Sequence, residues 1–129
     1  MPVRLLSSPV LKWPDAKTID HSVRRWAKKV ASHRESVLCI GYFGSYARGD
    51  WGVGSDLDLI IIVDHSDLPF ERRGLDWDFA ELPVPVDVLI YTKVEWQVLC
   101  KRQRRFYLTV LREAVWILER SASVCQRRA

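Results

Sequence analysis

Apolar residues along this chain follow two rhythms. Ile19, Val23, Trp26, Ala27 and Val30 recur at the spacing of one helical face, while Arg24, Arg25, Lys28 and Lys29 fill the opposite side. A helix is therefore predicted from Asp15, with Asp15 or Thr18 capping its start. Three short apolar runs follow: Val37–Phe43, which ends at Gly44, then Leu57–Val63, then residues 85–91. Each has the length and β-branched content of a buried strand. Between the first two, residues 46–49 predict one helical turn, and Gly49, Gly52 and Gly54 mark a loop. Residues 65–83 are mixed and polar, with a short helix predicted over 71–77. Beyond Thr92 the rhythm returns to helical. Val94 and Val98 open a helix, and a longer one carries Tyr107, Val110, Leu111, Ala114, Ile117 and Leu118 on its buried face. Its solvent side takes Arg102, Arg104, Arg105, Arg112 and Glu113. Helix, three strands and helices again predict an α/β (α+β) domain, a small mixed sheet with helices packed on it.

Composition narrows this picture modestly. The chain has 129 residues, one-domain length, and is 48% hydrophobic, enough to bury a core. The domain is expected over residues 15–120. Residues 1–14, with three prolines, read as an irregular arm, and residues 121–129 as a frayed tail. A net charge of +4 suits an anionic ligand without specifying one. Cys39, Cys100 and Cys125 are odd in number and far apart. They suggest no disulfide framework or zinc site, and they fit a reducing cytoplasm, with Cys39 an inert buried hydrophobe. The N-terminus lacks a signal-peptide core, and no apolar run is long enough to cross a bilayer, so no membrane partner is expected.

The candidate chemistry lies in GSYARGDWGVGSDLDLIIIV, residues 44–63. Side chains two apart on a strand share a face, which puts Asp56 and Asp58 together, about 7 Å apart along the strand. Two such carboxylates raise each other's pKa, and a divalent cation removes the repulsion. Hard oxygen donors suit Mg²⁺ or Mn²⁺. Asp87 is the lone charge in PVDVLIY. If that strand pairs beside the second, its carboxylate reaches the same cation, and three carboxylates can hold two ions about 4 Å apart. Asp87 is also placed to act as a general base. On the other side of the loop, Gly44 lets the backbone approach a phosphate closely, and the Ser45 hydroxyl can donate to it. Arg48 adds positive charge, the N-terminus of the following turn adds its dipole, and Ser55 steadies the loop ahead of Asp56.

Together, strand, Gly-Ser, a loop of ten residues, Ser-Asp-x-Asp, strand, and a third strand with one Asp resemble the signature of the DNA polymerase β-like nucleotidyltransferase superfamily. G-S-x-A-R-G followed by S-D-x-D is most similar to the minimal nucleotidyltransferases. The resemblance implies a polymerase β palm-like fold and Mg²⁺-dependent transfer of a nucleoside monophosphate, AMP from ATP, to a hydroxyl with release of pyrophosphate. It implies Asp56, Asp58 and Asp87 as metal ligands and catalytic residues, and Gly44, Ser45, Arg48 and Ser55 at the nucleotide. It also implies a HEPN-domain partner, an RNase toxin neutralised by AMP added to a tyrosine. Residues 64–84 depart from the pattern, with Pro69, Pro83 and a mixed acidic segment where relatives have a clear helix. The chain has no room for a template-holding domain, so the acceptor is expected on another protein or a second copy of this one. Transfer to a small molecule or an RNA end, and neutralisation of the partner by simple occlusion, are the alternatives. The basic clusters read as solvated helix faces, and no aromatic-interleaved basic motif points to nucleic acid. Trp51 sits in the glycine loop and is expected exposed, able to stack on a base or touch a partner, with packing within the loop as the equal alternative. The three histidines have no ligand spacing.

Overall fold

The computed structural model describes residues 13–125. Helix α1 spans Ala16–His33, and Asp15 caps it by accepting from the Thr18 N–H at 2.8 Å. Such a cap is worth about 1 kcal/mol. Ile19, Val23, Trp26 and Ala27 form its buried stripe, as the periodicity predicts. The strands are β1 (Val37–Phe43), β2 (Leu57–Val63), β3 (Val86–Thr92) and β4 (Val115–Glu119), in the spatial order β3-β2-β1-β4. β1 lies antiparallel to β2 and to β4, and β2 runs parallel to β3.

Both sheet faces are covered, which is why the central strands are apolar almost throughout. On one face α1 packs over Val37, Ile40, Tyr42, Leu57, Leu59 and Ile61. On the other, helices α3 (Lys93–Arg102) and α4 (Arg104–Glu113) place Trp96, Tyr107 and Val110 over Cys39, Ile60 and Ile62. Among the described residues, no helix is long and apolar enough to cross a membrane.

Two expectations need correction. The long C-terminal helix stops at Glu113, and Ile117 and Leu118 lie instead on β4, an edge strand against β1. The apolar run 114–118 satisfies helical spacing and strand length alike. An open edge on β1 and the β-preferring Val-Trp-Ile sequence favour the strand. Cys39 is not an inert thiol either: it is disulfide-bonded to Cys125, with Cα atoms 5.9 Å apart, leaving Cys100 as the free cysteine. Cys125 closes a single helical turn, α5 (Ala122–Cys125), against β1. Of the arm expected over 1–14, residues 1–12, and of the tail expected over 121–129, residues 126–129, fall outside the described residues.

The parallel β2–β3 pair requires a crossover, formed by residues 64–85. It contains a 3-10 helix over Phe70–Asp76, close to the predicted 71–77. Arg73 fastens it. Although buried, its guanidinium donates to the carbonyls of Leu68 and Ile90 and bidentately to Glu95, at 2.5 and 3.0 Å. Glu95 also completes a capping box with Thr92 at the start of α3. One arginine thus ties the crossover, the end of β3 and the next helix together.

Candidate active site

β1 ends at Phe43, and the chain turns through Gly44 at φ 76° into α2, a single helical turn (Ser45–Arg48). Only glycine takes that conformation without strain, and a β-carbon there would also run into the Asp58 carboxylate. The turn is thus pressed directly against the acidic strand. Gly49, at φ 90°, ends α2 in the left-handed region. The loop returns through Gly52, whose N–H donates to the Ser55 hydroxyl at 2.8 Å, while Ser55 N–H donates back to the Gly52 carbonyl. Ser55 is therefore engaged within the loop just ahead of Asp56.

β2 and β3 pair in register, Leu57 with Val86 and Asp58 with Asp87. In a parallel pair, register partners stand side by side on the same face, with strands about 4.8 Å apart. Asp58 and Asp87 are neighbours for this reason. Asp56 immediately precedes β2 and is exposed, as is Asp87, while Asp58 is half-buried. Burial, followed by the Asp87 and Asp56 charges, pushes the Asp58 carboxyl above its ordinary value. The repulsion anticipated from the D-x-D spacing is thus one cause of the shift, behind burial and the Asp87 charge.

One functional neighbour was not legible in the sequence. Glu113, expected on the solvent side of α4, has a side chain only 15% exposed. Its Oε1 accepts from the Gly44 N–H at 3.3 Å and from Arg48 Nη1 at 3.1 Å. Arg48 also donates from Nε to Asp50 at 3.1 Å. Glu113 is 65 residues from Arg48 in sequence, so no local spacing announces it. The one weak cue is a carboxylate in the last turn of a helix, where the dipole disfavours it. Because α2 has one turn, its own dipole contributes little, and the site's positive charge rests on Arg48.

Trp51 is half-buried and stacked on Tyr46, with ring centroids 5.6 Å apart, so it packs the loop rather than standing free. Trp96 is core and Trp77 is half-buried against Trp26 and Phe79.

Among the described residues, no three His, Cys, Asp or Glu side chains are already gathered as a metal-binding group. The donors available are hard carboxylate oxygens, one of them held at a raised pKa by burial and by its neighbours' charges. That chemistry fits a divalent Mg²⁺-like cation and does not fit a soft metal.

Comparison with known proteins agrees with this geometry. Residues 24–112 match the family model of the nucleotidyltransferase domain. The chain is 33% identical over 90 residues to the protein adenylyltransferase MntA of Thermococcus cleftensis, covering 70% of this chain and 84% of that protein. Among solved structures, it superposes with a TM-score of 0.56 at 17% identity on a Sulfolobus solfataricus protein assigned to the nucleotidyltransferases, over 81% of this chain and 84% of the other. It also superposes, with a TM-score of 0.52 at 16% identity, on a chain of a toxin–antitoxin structure with AMP-PNP, over 80% and 77% of the two chains. At such identities the two structures speak to the fold alone.

Proposed function

Because this chain belongs to the nucleotidyltransferase family and has a transferase role, we propose that it moves AMP from ATP onto a hydroxyl of a partner protein. The observation that carries this is the in-register pair Asp58 and Asp87, with Asp56 two residues ahead and the Gly44 turn pressed against Asp58. Asp56, Asp58 and Asp87 would hold Mg²⁺ or Mn²⁺, which supplies neutralisation of the triphosphate and of the departing pyrophosphate. Gly44 and Ser45 offer a backbone N–H and a hydroxyl to phosphate oxygens. Arg48 offers positive charge, and Ser55 keeps the loop in place.

In the reaction the acceptor oxygen attacks the α-phosphorus as the bond to the β-phosphate's bridging oxygen breaks. Pyrophosphate leaves, and the acceptor proton passes to a carboxylate, for which exposed Asp87 is the candidate. The acceptor we favour is a tyrosine of a HEPN-domain toxin, which would make this chain an antitoxin. Support comes from the 33% identical relative, which is itself a protein adenylyltransferase. A cytoplasmic setting, where ATP is abundant, follows from the same reading. The Cys39–Cys125 bond is fully buried, which shields it from thiol attack.

The reading is tested by labelling proteins of the native lysate with ATP carrying radiolabel at the α or the γ phosphate. Label from the α position alone, absent with Asp56→Asn/Asp58→Asn protein, is expected. Label from the γ position, or equal label with the variant, would contradict it.

A further inference from the structure

The Glu113 carboxylate sits on the groups that the proposed function gives to phosphate. One oxygen, Oε1, collects both the Gly44 N–H and the Arg48 guanidinium. A phosphate oxygen offers the same thing to the same donors: a single negatively charged acceptor shared between a backbone amide and an arginine. Both polar partners of Glu113 are groups of the turn that follows β1. Glu113 is the last residue of α4, where a negative charge opposes the helix dipole. Arg48 would not be stranded if Glu113 withdrew, because its Nε already donates to Asp50.

We propose that Glu113 sets nucleotide affinity at this site: its carboxylate is an internal anion standing where a phosphate oxygen binds, and the incoming triphosphate must displace it. The inference rests on the phosphate role given above to Gly44 and Arg48. Glu113 is then a positioning and gating residue. It keeps the arginine and the amide satisfied while the site is empty and weakens the binding of every ligand that carries the polyphosphate.

Isothermal calorimetry on the whole chain tests this with three probes: Mg²⁺-ATP, Mg²⁺-tripolyphosphate and adenosine. Glu113→Gln removes the charge while its amide oxygen can still accept from Gly44. Glu113→Ala is the second variant. Both are expected to bind ATP and tripolyphosphate about tenfold more tightly than wild type, since the charge that competes for these donors and repels the phosphate is gone. Adenosine binding should not change, and in turnover the KM for nucleotide should fall while kcat does not rise with it. Equal or weaker polyphosphate binding by both variants, with wild type binding normally, would overturn the role of Glu113 and leave the phosphate site standing. Failure of the folded wild type and both variants to bind either polyphosphate would overturn the phosphate site, and this inference with it.

Discussion

Asp58 is held where ionisation is opposed by burial and by the charges of Asp87 and Asp56. A raised carboxyl pKa means the folded state binds the proton more tightly than the unfolded chain. Stability is therefore lost as pH rises from the ordinary carboxylate value through the raised one. In metal-free buffer at neutral pH, Asp58→Asn should raise the thermal midpoint, and the advantage should vanish below about pH 3.8, where the unfolded group is also protonated. The same substitution should abolish transfer. A thermal scan at two pH values beside an activity assay reads both, and a variant less stable than wild type at neutral pH would count against the account. Gly44→Ala makes the opposite prediction. It forces a β-carbon into a left-handed backbone and against the Asp58 carboxylate, so it should cost about 1–3 kcal/mol in denaturant unfolding and lose activity as well.

At the level of elements, the crossover depends on Arg73. Removing it leaves the Leu68 and Ile90 carbonyls and the Glu95 carboxylate without a donor each now receives. Arg73→Ala should cost about 2–3 kcal/mol in urea unfolding, toward the low end for breaking an ion pair because the Glu95 side chain is 40% exposed. Arg73 holds the Glu95 carboxyl below its ordinary value, so this pair stabilises fully above the unfolded pKa and is lost as pH falls through the folded one. Glu95→Gln should be less stable than wild type at pH 7 and converge with it in acid. Much of this scaffold was legible in advance. α1 repeats the helical period over enough residues to exclude a strand, β1, β2 and β3 are short apolar runs set off by glycine or proline, and β1 and β2 have the bounds read from the sequence. β4 was not, because five consecutive apolar residues carry no period of their own. Arg73 and Glu113 were not, because a charged residue shows its purpose only beside its partner. Those partners lie 22 residues away for Arg73 and Glu95, and 69 for Glu113 and Gly44.

Across the whole molecule, the helical turn α5 is fastened to the central strand β1. The Cys39–Cys125 disulfide closes a loop of 86 residues, fixing α5 to β1. Chain-entropy reasoning puts a bridge of that span at about 4.6 kcal/mol. Thiol titration in denaturant without reductant should find one reactive cysteine, Cys100, and reduction should lower the thermal midpoint by roughly 10–20 °C. Three reactive thiols would contradict the bridge. The pairing was illegible from cysteine spacing because the fold alone brings positions 39 and 125 together. The same sheet aligns Asp58 with Asp87 and brings the end of α4 to the Gly44 turn, so the site is a product of strand order and register. The proposed reaction is transfer of a nucleotide from this site to a protein hydroxyl. It is tested most directly by intact-mass spectrometry of the partner captured by this chain, incubated with Mg²⁺-ATP and either wild type or Asp56→Asn/Asp58→Asn. The account predicts a mass increase of one AMP on a partner tyrosine with wild type and none with the variant. A stably captured partner that never gains mass with wild type, or gains it equally with the variant, would contradict it.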